Sequence, residues 1–345
     1  MVVRLPFRPA PFFDNKNAAF WNLQFLGWGG VFALSLGAFA LVASEFMPVS
    51  LLTPLATDLR ISEGQAGQAI TISGAFALLT SLSIAALAGR LDRKLLLIGL
   101  TLLMVVSAAV AAFAPNYALF MAGRALIGIA IGGFWSMSAA TAMRLVPSDQ
   151  VPRALAIVNG GNALAMVLAA PLGSLLAAAV GWRWAMFSLV PIAAAALIWK
   201  MAALPSMKPD MKPRRRNVFG LLKDRRVVLG MAAVAVFFMG QFELFTYLRP
   251  FLETVTGVGA GTLSLLLLVI GIAGFVGTIL IGPFLKAGLH RTLIVIPLLM
   301  AAIAIALPLI GISVPTAGLL LALWGLVGTA APVGWWTWLA RTLPD

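Results

Sequence analysis

Long apolar runs, separated by short polar segments, recur along the whole chain. Each run holds about 20 residues, which is the length that crosses the hydrocarbon core of a bilayer as an α-helix. The pattern therefore predicts ten transmembrane helices and an all-α polytopic membrane protein. The predicted helices lie near residues 27–52, 66–88, 95–114, 118–142, 155–179, 184–203, 228–250, 262–285, 292–311 and 315–340.

One polar interval, after the sixth apolar run, divides the chain. Residues 1–26 are mixed and aromatic, and we expect them to form a lead-in at the cytoplasmic face or the membrane interface. Residues 27–203 are predicted to form a bundle of six helices. Residues 204–227 form a basic cytoplasmic linker, and residues 228–345 an incomplete C-terminal bundle of four helices.

The Lys and Arg residues are distributed unevenly between the two ends of the predicted helices. Nine of the 24 lie between positions 200 and 226 and are assigned to the linker. With the linker on the cytoplasmic side, 20 basic residues fall on that side and three, Arg60, Arg183 and Arg249, on the other. Because basic residues beside short loops remain cytoplasmic, the pattern predicts that the N-terminus also lies in the cytoplasm.

The composition excludes several classes of function. Hydrophobic residues make up 61% of the chain and charged residues 10%, with a mean hydropathy of +1.02, which is more apolar surface than a soluble core could bury. The net charge of +13 does not indicate nucleic-acid binding, because the basic residues lie in short loops. The chain has no Cys, no P-loop motif and one His, His290, in a basic turn, so we predict no enzyme activity, metal site or cofactor.

The two predicted bundles resemble each other in sequence. The first helix carries Glu45 followed by Pro48, and the seventh carries Glu243 followed by Pro250. The fourth and tenth helices both place glycine beside aromatic residues and end in an Arg-x-x-Pro sequence. Such internal similarity indicates a transporter built from two parallel repeats.

Ionisable residues inside the predicted helices are candidates for proton coupling. A charged side chain there costs roughly 2.5–3.5 kcal/mol on insertion scales, so each one needs a partner, a wet cavity or a functional role. Glu45 and Arg124 both lie roughly 10 Å from the outer ends of their helices, so they could pair. Two interpretations stay open: Glu45 is a proton acceptor that responds to Arg124 or substrate, or the two form a permanent ion pair. Glu243, on one helix face with Tyr247, is a second candidate.

Short motifs in the first six helices resemble the signatures of a known family. The turn after the second helix reads Ala88-Gly-Arg-Leu-Asp92-Arg93-Lys94, the fourth helix reads Arg124-Ala-Leu-Ile-Gly128, and the fifth reads Pro171-Leu-Gly173. With the six-helix half and the basic central loop, these motifs resemble the major facilitator superfamily. The resemblance implies roles in conformational change for Asp92, Arg93, Gly128, Pro171 and Gly173.

Longer stretches resemble one group within that superfamily, the bacterial purine ribonucleoside efflux permeases. They include Glu45-Phe-Met-Pro-Val-Ser-Leu-Leu-Thr-Pro54, Gly132-Gly-Phe-Trp-Ser-Met-Ser138 and Phe245-Thr-Tyr-Leu-Arg-Pro250. The resemblance implies the superfamily fold with ten of its usual twelve transmembrane helices, and transport that is impaired unless another chain supplies the rest. It also implies proton-coupled efflux by alternating access across the bacterial inner membrane, with a small-molecule substrate, protons and the lipid bilayer as partners. Two alternatives remain: a sugar or drug exporter on the same scaffold, and a truncated membrane protein that transports nothing.

A nucleoside would need an aromatic surface for its base and hydrogen-bonding groups for base and ribose. The predicted helices offer residues of both kinds, although tryptophans near helix ends are also interface anchors and small or amide side chains also pack helices together. The candidates for substrate binding are Gln68, Trp135, Ser138, Asn159, Asn162, Tyr247, Trp335 and Trp336.

Overall fold

A computed structural model of the chain describes residues 15–88, 91–207 and 224–342, and every regular element in these ranges is helical. The predicted lead-in up to residue 14, the turn at 89–90, most of the linker at 208–223 and residues 343–345 lie outside the described residues. The twelve α-helices are α1 (Asn15–Ser50), α2 (Leu52–Leu59), α3 (Glu63–Ala88), α4 (Arg93–Ala112), α5 (Tyr117–Leu145), α6 (Val151–Val180), α7 (Trp182–Phe187), α8 (Leu189–Ala203), α9 (Arg225–Phe251), α10 (Ala260–Ile310), α11 (Val314–Gly328) and α12 (Ala331–Thr342).

Nine helical segments in the described part of the chain are long and apolar enough to cross a membrane. The predicted helices near 262–285 and 292–311 are joined in α10, and the backbone leaves helical geometry only at Gly288 (φ −178°, ψ 90°). They are two helices on either side of a kink at Gly288, which coincides with the basic turn predicted between them, and the Thr292 hydroxyl donates a hydrogen bond to the Gly288 carbonyl there (2.9 Å). The tenth predicted helix corresponds to α11 and α12 together.

Helices α1 to α8, which we call the first bundle, share one cluster of buried apolar side chains. Close approach of the helices depends on glycine. Gly161 of α6 lies against the backbone of Ser35 in α1, and the Ser35 hydroxyl donates to the Ile157 carbonyl of α6 (2.7 Å). Gly128 of α5 approaches the backbone of Ser73 in α3. The small residues of α5 therefore allow this helix to pack closely against α3.

Helices α9 to α12, the second bundle, form a separate apolar cluster centred on α10 and α11. Ala170 of α6 belongs to this second cluster, so α6 packs on both sides. A Cβ on Gly271 of α10 would lie 2.7 Å from the Cα of Val167 in α6, which shows that the two bundles touch backbone to backbone at this crossing. The described part of the chain is therefore two helical bundles joined along α6 and α10.

Candidate functional site

A cavity of about 600 Å³ lies between the bundles, with walls formed by α1, α3 and α9. Both candidate carboxylates, Glu45 and Glu243, line it, together with the candidate substrate residues Gln68 and Tyr247. Two aromatic rings, three aliphatic or sulfur-containing side chains, two glycines and two threonines form the rest of the wall: Gly67, Ile70, Thr71, Gly74, Ala235, Phe238, Met239, Phe242 and Thr246. The arrangement is an apolar cleft with few polar groups, which is typical of small-molecule sites.

Arg124 stands behind the α1 and α3 walls of this cavity and is almost completely buried (1% exposed). Its guanidinium donates to the Ser44 carbonyl (2.7 Å), to the Ala69 carbonyl (3.2 Å) and to the Ser73 hydroxyl (3.3 Å). Glu45 is half-buried at the cavity and interacts with Arg124 electrostatically. Since backbone carbonyls and a hydroxyl hold the guanidinium in place, its position does not depend on the charge of Glu45. Glu45 thus lines the cavity, whereas the hydrogen bonds of Arg124 go to Ser44, Ala69 and Ser73.

The phenol of Tyr247 and the amide of Gln68 reach the cavity from opposite bundles. Tyr247 lies directly over Gly67, where a Cβ would be 3.0 Å from the ring carbon that carries the hydroxyl. Gln68 is exposed, and its Oε1 accepts a hydrogen bond from the Tyr117 hydroxyl (2.9 Å). Gln68 lines the cavity, and its amide nitrogen can donate to a ligand there.

Contacts between α1 and α9 lie beyond the lining residues Thr246 and Tyr247 of the cavity. Arg249, in the last turn of α9, donates a hydrogen bond from Nη1 to the Ser50 carbonyl at the end of α1, and its Nε pairs with Glu253 at 2.8 Å. We call these three residues the Arg249 clamp. Beside it, the Phe46 ring lies 6.0 Å from Phe242 and 5.5 Å from Phe245, centroid to centroid. The sequence assigned Arg249 to the outer loops, but the structure buries it in the contact between the bundles.

Asp92, from the turn motif, is joined to the start of the linker. Its carboxylate accepts hydrogen bonds from the backbone N–H of Lys94 (2.7 Å) and of Met207 (3.0 Å), and from the Ser206 hydroxyl. Arg93 N–H donates to the Met207 carbonyl (3.1 Å). Burial raises the pKa of Asp92, but the hydrogen bonds from Ser206, Met207 and Lys94 and the Lys94 charge outweigh it, so the pKa lies below its usual value. We call Asp92, Ser206 and Met207 the Asp92 latch, because they tie α4 to the segment that follows α8.

Lys200 is not part of the linker, and its assignment there from the sequence was wrong. It lies in α8 with only 1% of its surface exposed. Its Nζ donates to the Thr101 hydroxyl of α4 (2.8 Å) and lies 4.9 Å from the centre of the Phe134 ring of α5. A lysine near the end of an apolar run is ambiguous, because only the position of the neighbouring helices decides whether its side chain turns inward.

Pro171 and Gly173 are buried in α6 next to the crossing with α10. A Cβ on Gly173 would lie 2.7 Å from the Ser50 hydroxyl and 2.8 Å from Met47 Cγ, both in α1. Pro171 removes one backbone donor from the helix at this level. The motif therefore lies where α6 contacts both α1 and the second bundle.

The remaining predicted substrate residues do not line the cavity between the bundles. Trp135 is exposed on α5 and packs edge-to-face on Phe134 (5.5 Å), while Ser138 is buried in the first bundle. Asn159 is exposed and donates to its own helix at the Leu155 carbonyl (3.0 Å). Three others lie elsewhere: Asn162 is half-buried in α6, Trp335 borders a separate apolar cavity within the second bundle, and Trp336 is exposed on α12.

No group of three or more acidic or His side chains that could hold a metal occurs within residues 15–88, 91–207 and 224–342. The candidate site thus consists of two carboxylates, an amide, a phenol and aromatic surface. Such groups can bind and release a proton and can bind a neutral polar molecule. Covalent chemistry is not suggested by them.

Comparison with known proteins adds an independent line of argument. The family model described as Major Facilitator Superfamily matches residues 34–345. A protein of Pseudomonas aeruginosa named "Transcription regulatory protein OpdE" is 61% identical over 322 residues, which are 92% of this chain and 80% of that protein. The "Purine ribonucleoside efflux pump NepI" of Salmonella typhimurium is 40% identical over 318 residues, with the same coverage of 92% and 80%.

Two solved structures show the same fold at low identity. The nucleoside transporter NupG superimposes with a TM-score of 0.73 at 12% identity, covering 92% of this chain and 83% of that one. A bacterial homologue of the human lysosomal transporter Spinster, in an inward-facing and unoccupied conformation, superimposes with a TM-score of 0.69 at 18% identity, covering 90% and 74%. At these identities the likeness concerns the fold alone.

Proposed function

Because the chain belongs to the major facilitator superfamily and is a membrane transporter rather than an enzyme, we propose that it exports purine ribonucleosides in exchange for protons by alternating access. One observation carries the proposal: Glu45 and Glu243 share a cavity with Gln68 and Tyr247 at the junction of the two bundles. The relative that is 40% identical and named as a purine ribonucleoside efflux pump supports the choice of substrate.

The cavity suits a nucleoside by its chemistry. Phe242 and Tyr247 offer aromatic faces for a purine base, and Gln68 and Thr71 offer donors and acceptors for the base edge or ribose hydroxyls. A volume of about 600 Å³ falls within the range of roughly 300–1,000 Å³ that is typical of small-molecule sites. A neutral substrate does not need an ion pair with Glu45 or Glu243, so both carboxylates can serve in proton exchange.

Proton coupling is assigned first to Glu45 and second to Glu243. A carboxylate at the edge of a membrane cavity is stable when protonated or when close to a positive charge, and Arg124 provides that charge next to Glu45. Protonation of Glu45 would remove its attraction to Arg124. The substrate and the proton would then compete for the part of the cavity wall that Glu45 forms. Glu243 is exposed on α9, from which it can respond when the bundles move apart.

The proposed orientation places the N-terminus and the linker in the cytoplasm of a bacterium, with the helices in its inner membrane. With the buried Lys200 and Arg249 left out, 19 basic residues are assigned to the cytoplasmic side and two, Arg60 and Arg183, to the other, so the rule still supports this orientation. The Arg249 clamp then closes the outer end of the cavity.

The direct test is export of labelled inosine by membrane vesicles that contain the protein. We expect an imposed proton gradient to drive inosine out of the compartment that corresponds to the cytoplasm, and a protonophore to stop it. Vesicles without the protein are the control. Competition by unlabelled guanosine, but not by a sugar or a lipophilic drug, would separate nucleosides from the other substrate classes; failure of inosine to move with the gradient overturns the proposal.

A second function is favoured by the relative that is 61% identical and named as a transcription regulatory protein. In that case the protein would change transcription by sensing or moving a small effector. The two functions are separated by comparing transcript levels in cells that carry the parent or the Glu45→Gln variant. Regulation that persists when export is lost supports the second function, whereas regulation that disappears together with export supports the first.

Weakening the Arg249 clamp should open the outer end of the cavity. The variant Arg249→Met loses the hydrogen bond to Ser50 and the ion pair with Glu253, and hydrogen bonds to charged groups contribute roughly 1.5–3 kcal/mol. We expect about tenfold faster labelling of a cysteine placed by Thr71→Cys with an impermeant maleimide added from outside, since about 1.4 kcal/mol is a factor of ten. The chain has no cysteine of its own to interfere.

Glu253→Gln is the matched control for this experiment, because it removes the ion pair but leaves Arg249 and its bond to Ser50. It should speed labelling less than Arg249→Met does. Equal labelling rates in the parent and in Arg249→Met would show that the clamp does not hold the outer end closed.

A further inference from the structure

Lys200 is a buried amine within the first bundle that the proposed mechanism does not use. Among the described residues its polar contacts are the Thr101 hydroxyl and the Phe134 ring, and no carboxylate pairs with it. Its side chain occupies the space left by Gly37 of α1, where a Cβ would lie 2.8 Å from Lys200 Cε. The amine is therefore in contact with α1, α4 and α5 at once. A charged group at such a site is costly in a membrane and usually functional.

The hydrogen-bond partners of Lys200 fit an amine better than an ammonium. The Thr101 hydroxyl donates its own hydrogen to the Leu97 carbonyl (2.7 Å), so it can only accept from Lys200. The Phe134 ring, whose centre lies 4.9 Å from Nζ, can attract the protonated form through a cation–π contact. An ammonium has three donors, and its third would be buried without a partner. The site thus offers Nζ one hydrogen-bond acceptor and one aromatic face, so the amine satisfies its hydrogen bonding more fully than the ammonium while the ring attracts the protonated form.

The Asp92 latch lies beyond the end of α8 on the linker side of this amine. Lys200 is one helical turn from the end of α8 at Ala203, and the chain that follows is held against α4 by Ser206 and Met207. The Lys200 contact to Thr101 therefore joins α8 to α4, and the latch joins the segment after α8 to the start of α4, nine residues earlier. Loss of the latch would expose the end of α8 and bring water within reach of the amine.

The other charged groups on the surrounding helices are distant along the helix axes or repel a proton. On α1 the nearest described charge is Glu45, eight residues from Gly37, or about 12 Å at 1.5 Å per residue. On α5 the charges are Arg124 and Arg144, each ten residues from Phe134. On α4 they are Arg93 and Lys94, in its first turn, next to Asp92.

We propose that Lys200 is a second proton-binding group of the transporter, reached from the linker side when the Asp92 latch opens. The proton binds the lone pair of Nζ to form an ammonium and leaves by the reverse step, with no other bond made or broken. Opening of the latch and protonation support each other, because water that enters at the end of α8 supplies both the proton and a partner for the third N–H. The inference rests on the proposed proton-coupled export, and it adds a carrier in the first bundle beside the middle of α1, eight residues from Glu45 along that helix.

The access part of the proposal is tested without transport, by reductive methylation of the purified full chain followed by mass spectrometry. Only an unprotonated and accessible amine reacts. We expect Asp92→Asn to raise the methylation rate of Lys200 by about tenfold, which matches the loss of one or two hydrogen bonds to a charged acceptor. The exposed Lys286 is the internal control and should react equally in both proteins. An unchanged Lys200 rate in Asp92→Asn overturns the gating by the latch.

The coupling part is tested by the pH dependence of inosine export in Lys200→Met and Lys200→Arg. Met cannot bind a proton and Arg cannot release one, so we expect both variants to lose part of the pH response while inosine exchange without a proton gradient continues. If the Lys200 ammonium had only a structural role, Arg could take its place, and Lys200→Arg would keep the pH profile of the parent. That result would overturn the proposal.

Two further measurements separate a failure of the role proposed for Lys200 from a failure of the proposed export function. Thr101→Val removes the acceptor but leaves the amine, and it should shift the pH profile even if Lys200 variants fold poorly; an unshifted profile counts against the proposal. If the parent itself shows no proton-driven inosine export, the proposed function fails, whereas a parent that exports and a Lys200→Met variant with the same pH profile contradicts the role of Lys200 alone.

Discussion

Replacement of Glu45 by Gln should reduce proton-driven inosine export by about 5- to 150-fold, the range typical of a coupling free energy between two ligands. Gln keeps the size and hydrogen-bonding capacity of the side chain but cannot take up or release a proton, and it loses the attraction to Arg124. Arg124 should stay in place, since the Ser44 and Ala69 carbonyls hold it. The variant should therefore fold normally and still exchange labelled inosine for unlabelled inosine across the vesicle membrane.

Glu63→Gln is the matched control for Glu45→Gln. Glu63 is also a half-buried carboxylate, in the first turn of α3, but it lies outside the cavity and contacts the Thr53 hydroxyl at 3.5 Å. Its replacement should leave export within about twofold of the parent, as expected for a residue away from any special feature. The assignment of Glu45 fails if Glu45→Gln exports inosine as fast as Glu63→Gln under the same gradient. In that event Glu243→Gln is the next variant to measure.

Adding one methyl group at Gly132 should destabilise the protein by about 1–3 kcal/mol, the usual cost of overpacking. Gly132 of α5 faces the backbone of α3, and a Cβ there would lie 2.9 Å from the carbonyl carbon and 3.0 Å from the Cα of Ala77. Backbone atoms cannot turn aside as a side chain can, so the two helices must separate. Thermal unfolding of Gly132→Ala in detergent, followed by the loss of monodisperse protein, measures the effect.

Gly99→Ala provides a control of opposite sign. Gly99 is exposed on α4, and a Cβ there would meet no atom within 4 Å. Since alanine is favoured over glycine inside a helix by roughly 0.5–1 kcal/mol, Gly99→Ala should be slightly more stable than the parent. If the two variants unfold at the same temperature, α5 and α3 are not packed as closely as the structure indicates.

Most of the membrane-spanning pattern was predictable, because a helix that crosses a bilayer must bury its own backbone polar groups and cover itself with apolar side chains. The predicted helix near 228–250 corresponds to α9 (Arg225–Phe251), and that near 95–114 to α4 (Arg93–Ala112). The break predicted at residues 286–291, from the basic residues there, is confirmed by the kink at Gly288. The backbone leaves helical geometry at this residue, with one helix before it and another after it.

The cavity was predictable only in part. Glu45, Glu243, Gln68 and Tyr247 were singled out from the sequence and do line the same space. Trp135 was singled out by the same reasoning and does not. Hydropathy reports how apolar a helix is, but the hydrophobic pattern of these helices is nearly uniform around the axis, so it gives little information about which side faces the cleft.

The sequence alone determined that this chain is a bundle of membrane-crossing helices in two related halves, because length and apolar composition fix what a segment can do in lipid. It also determined that few charged residues lie within the helices. Only the tertiary structure decided the partner of each one: Lys200 fits against Thr101 because Gly37 leaves room for it, and Arg249 reaches Ser50 because α9 crosses the end of α1. Those partners are set by how helices distant in sequence pack together, and the order of residues along one helix does not contain that information.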